Sequence, residues 1–358
     1  MKGDFDVNSV IYLVTGACGH LGSQIVRLLA QKGERVRVLK LPGEDGSLLK
    51  GMKVETFSGD VRDMASLRPF FQVSPGEEAR VIHAAGIVSI AAKADVNLRR
   101  VNVEGTRNMV ELALETEVRR FLYVSSVHAL REAPRGEAIR EAEVFDSRAV
   151  NGAYAKTKAE ATQIVLDAVQ RGLDAVVVHP SGIIGPGDQG SNHSNQIFRD
   201  YLYGRLPAIV KGGYDFVDVR DVARGCLLAL ESGKTGGCYI LANAHYEISR
   251  LTDMLQRFAG LKHRPVALPL WLVTAFAPLA EAFDKLRSRR PLFTRYSLYT
   301  LNTNDCFSSE KAKAELGYTV RPMEETMRDI VLWERERHGP PAYKHPKRAR
   351  AASPLKSK

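Results

Sequence analysis

Tyr154 and Lys158 are the two residues whose types and spacing most clearly suggest chemistry. They stand four apart in a segment with a helical pattern, which places both side chains on one face, one turn apart. Free tyrosine, with a pKa of about 10, is a poor base at neutral pH. A lysine ammonium about 4 Å away, at an effective dielectric constant of about 20, would lower that pKa by up to about 3. The pair predicts general acid–base chemistry on a hydroxyl or ketone, although the same spacing is common on solvated helix faces.

A glycine-rich turn at Thr15–Gly22 (TGACGHLG) could bind phosphate, because it lies between a predicted strand and a predicted helix. Gly16 permits a tight turn, Gly19 lets the backbone approach a pyrophosphate, and Gly22 lets the helix pack close to the strand. The helix N-terminus would supply free N–H groups and a positive dipole end. The alternative is a glycine-rich turn without a ligand. The residues expected to line the phosphate site are Gly16, Cys18, Gly19, His20, Leu21 and Gly22.

Alternating strands and helices must position these motifs. Short apolar, β-branched runs predict six strands, at Val10–Thr15, Arg35–Leu39, Lys53–Phe57, Arg80–His83, Phe121–Ser125 and Asp174–His179. Helical patterns lie between most of them, at Leu21–Gln31, Met64–Phe71, Glu104–Thr116 and Tyr154–Arg171. This alternation predicts an α/β fold, a doubly wound parallel sheet with right-handed crossovers.

Five motifs follow one another in the order found in extended short-chain dehydrogenases/reductases, of the NAD-dependent epimerase/dehydratase superfamily. They are the T-G-x-x-G-x-x-G turn, Gly59–Asp63 (GDVRD), His83–Gly86 (HAAG), Asn102–Thr106 (NVEGT) and Tyr154–Lys158 (YAKTK). The resemblance runs from about Val10 to about Trp333. Gly212–Gly225 and Phe307–Tyr318 resemble dihydroflavonol-4-reductase-like and 3β-hydroxysteroid-dehydrogenase-like members. The family resemblance implies a Rossmann fold and NAD(P)-dependent oxidoreductase activity.

The resemblance also implies roles for single residues. Tyr154 would be the general acid/base, Lys158 would also hold the nicotinamide ribose, and Ser126 would hydrogen-bond the substrate oxygen. Asp60 would contact the adenine. The other residues implied beside the cofactor are Val61, Ala84, Ala85, Gly86, Ser125, Pro180 and Ile183. A family dimer commonly pairs the tyrosine-bearing helix, which implies a homodimer.

The end of the second predicted strand bears on the choice of cofactor. An NAD-specific enzyme usually ends this strand with an acid that takes the ribose hydroxyls. Here the strand ends at Lys40, and Glu44 and Asp45 follow only after a Pro-Gly pair, in a predicted loop. A cation at this place would attract a 2′-phosphate. We therefore expect NADP(H) to be favoured, with NAD(H) possible; the alternative is that Lys40 points to solvent.

Two departures from family patterns bear on the substrate. Val127 and His128 follow Ser126 where sugar dehydratases have an acidic pair, and Tyr214 stands where nucleotide-sugar enzymes often have arginine. These departures favour a bulky, mostly apolar alcohol or ketone, such as a steroid-, flavonoid- or terpenoid-like molecule. A nucleotide-sugar epimerase is the alternative, since a cation of the same region could replace the arginine: Arg199, Arg205, Lys211 or Arg220. The non-enzyme alternative is an NADP-binding sensor or structural subunit.

Histidines and cysteines give no sign of a metal site. The four cysteines are scattered, without C-x-x-C or metal-ligand spacing, and fit a reducing compartment. His179 stands where the family often has arginine, and we expect it, like His83, to be packed or hydrogen-bonded rather than catalytic. The N-terminus carries no apolar secretory segment, so a cytoplasmic location is expected.

The sequence predicts two domains and a tail. Residues 1–185 form the dinucleotide-binding domain, to which parts of 213–232 return; residues 186–338 form a smaller C-terminal substrate-binding domain; residues 339–358 form a disordered basic tail. The net charge of the chain is +10, and six of these positive charges belong to the tail, which leaves +4 for the rest of the chain. Nucleic acid is therefore not an expected partner. The apolar stretch Val266–Phe283, with Trp271 and Phe276 as candidate pocket walls, is too short and proline-broken for a transmembrane span. Weak contact with a membrane surface stays open.

Overall fold

A seven-stranded, all-parallel sheet forms the centre of the protein in the computed structural model, which describes residues 9–89, 96–190, 192–206, 208–262, 265–274, 295–301 and 303–341. The sheet strands are β1 (Val10–Thr15), β2 (Arg35–Lys40), β3 (Glu55–Ser58), β4 (Glu78–His83), β5 (Arg120–Val124), β6 (Ala175–Pro180) and β10 (Cys238–Leu241). Their order is β10-β6-β5-β4-β1-β2-β3. The chain adds β2 and β3 on one side of β1 and the later strands on the other side, beginning with β4. Ligands bind outside the carboxyl ends of the strands at such a switch point. The predicted doubly wound Rossmann fold is confirmed.

Helices cover both faces of this sheet. The described helices are α1 (His20–Gln31), α2 (Met64–Phe71), α3 (Val96–Arg99), α4 (Thr106–Glu115), α5 (Ala153–Val169), α6 (His193–Leu202), α7 (Val219–Ser232), α8 (Ile248–Ala259), α9 (Arg295–Thr300), α10 (Glu310–Leu316) and α11 (Met323–His338). A π-helical stretch, Arg100–Gly105, joins α3 to α4. Side chains of α2, α4 and α5 bury one face, and those of α1, α7 and α10 bury the other. The inner strands β1, β5 and β6 are therefore buried along nearly their whole length, whereas the edge strand β3 alternates between partly buried and exposed residues.

The seventh strand corrects a prediction. Residues 238–241 lie within the range expected for the smaller domain, but as β10 they pair in parallel with β6, with Cys238 opposite Val177. All four residues of β10 are buried. Helix α7, which precedes it, packs against α1 on the main sheet. The chain therefore returns to the sheet for one complete helix and strand, because β6 would otherwise expose an unpaired apolar edge.

The smaller region packs beside the carboxyl edge of the sheet. Its three-stranded sheet has the order β11-β9-β7, formed by β7 (Gly182–Ile184), β9 (Gly213–Asp218) and β11 (Ala244–Glu247). Two further strands, β8 (Ala208–Val210) and β12 (Val266–Leu268), pair with each other. Side chains of α6, α8 and α11 surround the small core.

Trp271 is 71% exposed, so the described residues do not enclose it in a pocket, and its role as a pocket wall stays a prediction. Leu270 and Val273, three positions apart, instead turn inward to contact Val210 and Leu298. Phe276 and the rest of the apolar stretch, like the tail from residue 342, lie outside the described residues. Among the described helices, none is long and apolar enough to cross a membrane.

Candidate active site

The glycine-rich turn brings the end of β1, the start of α1 and the end of β4 into direct contact. Gly16 has a φ of +68°, and a Cβ on it would stand 2.6 Å from the Ala84 carbonyl carbon and 2.7 Å from the Ala85 nitrogen. A Cβ on Gly22 would stand 2.0 Å from the Gly16 carbonyl oxygen. Glycine is therefore required at both positions by close backbone approach, as the sequence predicts.

The N-terminus of α1 fits the phosphates of a dinucleotide. Gly19 is its N-cap residue, no side chain caps the helix, and its first turn carries no acid. Its free N–H groups and positive dipole end therefore remain for an anion. The His20 ring turns away from the helix axis to bond the Pro186 carbonyl through Nε2 (3.1 Å) and Asn192 through Nδ1 (3.0 Å). Leu21 is partly buried against the core on the α1 side of the sheet.

Tyr154 and Ser126 meet at the carboxyl edge of the sheet. Gly152, with a φ of +96°, turns the chain into α5, and Tyr154 is the second residue of that helix. Ser126 lies two residues beyond the end of β5, and its hydroxyl lies close enough to the Tyr154 phenol to lower the pKa of that phenol. Both side chains are buried, with 7% and 8% exposure. A carbonyl oxygen placed between them could receive two hydrogen bonds, which is the arrangement that proton transfer to it requires.

Lys158 lies below this pair, against β5. Its Nζ donates to the Val124 carbonyl (2.7 Å) and to the Tyr123 hydroxyl (3.0 Å). Gly86 faces the same ammonium, since a Cβ there would stand 3.8 Å from Nζ. The end of β4, where the cofactor is expected, therefore leaves an open approach to the lysine.

The acid–base pair does not have the pKa values that its spacing predicts. Burial raises the pKa of Tyr154 to about 12, against a smaller lowering by the Ser126 hydroxyl, and burial lowers the pKa of Lys158 to about 7. The predicted lowering of the tyrosine pKa by lysine is absent, because desolvation dominates both groups. A bound cofactor would add charges that the chain alone lacks.

Three further side chains hold the catalytic elements in place. The Ser125 hydroxyl bonds Thr162 of α5 (2.7 Å), so this side chain fixes α5 to β5 rather than pointing into the cleft. His179 is hydrogen-bonded, as predicted, since its Nδ1 contacts the Ser126 carbonyl (3.0 Å). His83 bonds threonines on both sides and is likewise structural. Burial lowers the pKa of both histidines, which are neutral at pH 7.

The loop after β2 folds back toward the phosphate turn. The Glu44 carboxylate accepts a hydrogen bond from the Leu41 N–H (2.9 Å) and lies near the Cys18 thiol. Burial, helped by Glu44, raises the pKa of that thiol to about 11. Lys40 points toward Gly46, where a Cβ would stand 3.5 Å from Nζ. Glu44 lies in a loop, as predicted, but this loop brings its carboxylate beside Cys18 of the phosphate turn, so an acid and a cation both stand where the adenosine ribose is expected.

The remaining predicted cofactor residues lie along the same edge. Asp60 and Val61 follow β3: the Asp60 carboxylate pairs with Arg62, and Val61 packs on Gly105. Ala84 and Ala85 follow β4; the Ala84 N–H donates to the Thr15 carbonyl, and that of Ala85 to the Thr15 hydroxyl. Pro180 ends β6, and Ile183 lies in β7. These positions, gathered around β1 and β4, fit a dinucleotide laid across the carboxyl ends of the strands.

An aromatic cluster, His128, Tyr214 and Phe307, forms the substrate side of the cleft. The His128 ring stands edge-on to Tyr154 at 6.0 Å and stacks on Tyr214 at 6.0 Å, and Phe307 meets Tyr214 edge-on. Burial lowers the pKa of His128 to about 4, so this ring is neutral at pH 7. Leu130, Ile139 and Val150 extend the apolar lining, and Glu132, Asn151 and Tyr299 form a polar rim.

Most of the cations that could replace an arginine at position 214 are already paired. Arg199 bonds Asp188 and Glu334, Arg205 bonds Asp200, and Arg220 bonds Asp218 and Asp329. Lys211 is exposed. Among the described residues no group of histidine, cysteine and acidic side chains could hold a metal ion.

Sequence reasoning missed Tyr123, Thr106 and the inward position of His128. Tyr123 stands two residues before Ser125 on a strand, so the alternation of side chains predicts that it faces α5 and its lysine. In the sequence, His128 was considered only because it stands where sugar dehydratases have an acidic residue. No local signal distinguishes it from a surface histidine.

Comparison with known proteins agrees with this geometry. The profile of the NAD dependent epimerase/dehydratase family matches residues 12–244. The chain is 34% identical to the sterol demethylase protein B of Methylococcus capsulatus, over 91% of this chain and 98% of that protein. It is 29% identical to the 3 beta-hydroxysteroid dehydrogenase type 7 of Mus musculus, over 95% of this chain and 99% of that protein. The crystal structure of gox2253 superposes with a TM-score of 0.77 at 33% identity, covering 92% of this chain and 99% of that chain. The chain therefore belongs to the NAD dependent epimerase/dehydratase family and is an enzyme of the extended short-chain dehydrogenase/reductase type.

Proposed function

We propose that the protein interconverts a ketone and a secondary alcohol on a bulky, mostly apolar substrate, with Tyr154 as general acid/base. The observation that carries this proposal is the burial of the Ser126 and Tyr154 side chains beside each other, with Lys158 one helical turn away, next to an aromatic cleft. A dinucleotide at the α1 N-terminus and a ketone against His128 would meet at these hydroxyls.

Each side chain has a separate task in the proposed reaction. The nicotinamide cofactor supplies or accepts the hydride when bound. In reduction, Ser126 donates a hydrogen bond to the carbonyl oxygen, and Tyr154 gives that oxygen its proton. The Lys158 ammonium stabilises the phenolate that this step leaves; in oxidation, the same phenolate takes the alcohol proton and becomes the phenol again. Burial of all three excludes water, which strengthens these interactions.

The cleft lining supports an apolar substrate. A diphosphate brought against Tyr214 and Phe307 without a cation would lose its hydration uncompensated. Flat rings packed against the same aromatic side chains gain both burial and stacking. The names of two relatives, a sterol demethylase protein and a hydroxysteroid dehydrogenase, are consistent with a sterol-like substrate. The epimerase alternative is weaker, because three of the four candidate cations are paired with acids.

The cofactor preference rests on Lys40 and Glu44. Lys40 favours the 2′-phosphate of NADP(H), as the sequence predicts. The Glu44 carboxylate lies near Cys18 of the phosphate turn and affects the pKa of that thiol more than Lys40 does, and at this place it would accept the ribose hydroxyls and repel a 2′-phosphate. The position of Glu44 therefore supports NAD(H), against the preference predicted from Lys40 alone.

The decisive experiment compares Tyr154→Phe with Tyr203→Phe over a panel of steroid-, flavonoid- and terpenoid-like ketones. Tyr154→Phe should reduce kcat by about 10²–10⁴-fold, with NADH binding by fluorescence unchanged. Tyr203, whose hydroxyl bonds the Glu334 carbonyl, lies away from the cleft, and its variant should keep wild-type kcat. More than about a tenth of wild-type kcat in Tyr154→Phe would refute its role.

The same panel separates the alternatives. Thermal stabilisation by UDP- or GDP-sugars, with none by apolar ketones, would favour the epimerase. Cofactor binding without turnover of any ligand would favour the sensor. The homodimer and the weak membrane-surface contact stay predictions, which sedimentation and vesicle flotation would test.

A further inference from the structure

We propose that Tyr123 is a positioning residue that holds Lys158 as a charged ammonium aimed at the cofactor; this inference rests on the proposed function. The Lys158 ammonium has three N–H donors. Two of them go to the Tyr123 hydroxyl (3.0 Å) and the Val124 carbonyl (2.7 Å) of β5. The third remains for the open approach beside Gly86.

The orientation of the Tyr123 hydroxyl is fixed by a buried chain of hydrogen bonds. The chain starts at the phosphate turn, where the Thr15 hydroxyl accepts from the Ala85 N–H and donates to His83 Nδ1 (2.7 Å). His83 Nε2–H then donates to the Thr106 oxygen (3.0 Å), and the Thr106 hydroxyl donates to the Asn102 carbonyl (2.7 Å). This arrangement is the one that gives each group in the chain a partner.

Only an acceptor role toward the lysine is then left for Tyr123. The Lys158 ammonium has only donors, so the Tyr123 oxygen accepts from it. The Thr106 side chain lies near the Tyr123 hydroxyl and donates its own proton to the Asn102 carbonyl, so toward Tyr123 the Thr106 oxygen can only accept. The Tyr123 oxygen consequently presents its lone pair to Lys158, which favours the ammonium over the neutral amine. The Tyr123 ring adds a second attraction, since Nζ stands 4.6 Å from its centroid.

The groups around Lys158 explain why its contact with the Tyr123 hydroxyl affects the ionisation of the lysine. The titratable groups that face Lys158 are Tyr123 on β5, Tyr154 on its own helix, His83 on β4 and His179 on β6. Both histidines are neutral at pH 7, and neither tyrosine is ionised. Burial lowers the pKa of Lys158 to about 7, so its charge depends on neutral oxygen acceptors. Loss of one acceptor should therefore change its ionisation near neutral pH.

The test measures the ionisation of Lys158 directly in the cofactor-free protein. The rate of acetylation of this lysine by acetic anhydride, followed by mass spectrometry from pH 5 to 10, gives its pKa. Tyr123→Phe keeps the ring and removes the acceptor, so the Lys158 pKa should fall by about one. Tyr239→Phe is the matched control, because Tyr239 is an equally buried tyrosine of the same sheet whose hydroxyl bonds Glu315. An unchanged Lys158 pKa in folded Tyr123→Phe would overturn the proposal.

Thr106→Val provides a second route if Tyr123→Phe does not fold. Without the Thr106 oxygen, the Tyr123 hydroxyl is free to turn its proton toward the lysine. The Lys158 pKa should again fall, and no fall would count against the proposal.

Two further measurements separate this proposal from the assignment of Tyr154. In Tyr123→Phe, NADH should bind more weakly at pH 7, and the pH profile of kcat should move with the Lys158 pKa. If the Lys158 pKa falls while Tyr154→Phe stays active, Tyr123 positions the lysine but the proposed function is wrong. If Tyr154→Phe is inactive and Tyr123→Phe keeps the wild-type pKa and pH profile, only the Tyr123 proposal fails.

Discussion

Gly22→Ala tests whether the close approach of α1 to the phosphate turn is required for both folding and cofactor binding. The added Cβ would stand 2.0 Å from the Gly16 carbonyl oxygen and 2.7 Å from its carbonyl carbon. Ordinary contacts of carbon lie at about 3.5–4.0 Å. The backbone must therefore separate by more than about 1 Å, since no flexible side chain can give way.

The expected energy follows from two opposing effects. Overpacking in a dense core costs about 1–3 kcal/mol, and α1 is held between β1 and α7. Alanine in place of glycine in a helix stabilises the helix by up to about 1 kcal/mol. We expect a net loss of about 1–2 kcal/mol of unfolding free energy. Displacing the α1 N-terminus should also weaken NADH binding by about tenfold or more.

Chemical unfolding and NADH fluorescence titration measure the two effects separately. Gly19→Ser is the matched comparison: serine is a good N-cap residue, and a Cβ at Gly19 comes no closer than 3.2 Å to the Gly16 oxygen. This variant should keep wild-type stability yet bind NADH weakly, because its side chain enters the phosphate site. A Gly22→Ala protein with wild-type unfolding energy and NADH affinity would refute the required contact.

Three other predictions concern stability and cofactor choice. Arg120→Met should cost about 2–4 kcal/mol of unfolding free energy, because the buried guanidinium bonds carbonyls at the end of α7; Arg148→Met, on the surface, should cost almost nothing. Burial raises the pKa of Asp215 from 3.8 to about 6, so the folded state holds this proton more tightly than the unfolded chain. Wild-type stability relative to Asp215→Asn should therefore fall by about 2 kcal/mol as the pH rises from about 4 to 6, and parallel pH curves in urea unfolding would contradict this. Glu44→Gln should raise kcat/KM for NADP(H) relative to NAD(H) and Lys40→Asp should lower it; a ratio unchanged by both variants would exclude these residues as determinants.

Local patterns were sufficient to predict six of the seven strands of the main sheet and its two motifs. β-branched runs give buried strands, and the glycine turn can be placed because it must follow a strand and open a helix. Tyr154 and Lys158 share a face through helical spacing alone, which depends on residues only one turn apart. The sequence also showed that Tyr214 stands at a position where nucleotide-sugar enzymes often have an arginine.

The rest depends on contacts between residues far apart in the chain. The return of β10 to the sheet depends on pairing with β6, some sixty residues earlier. The acceptor role of Tyr123 requires β4, β5 and α5 to meet, and the place of Glu44 depends on how its loop meets Cys18. Burial is also a property of the assembled core, and it reverses the predicted pKa of Tyr154. The sequence determined which groups could react and on which fold, whereas tertiary packing decided their solvation, their partners and therefore their charges.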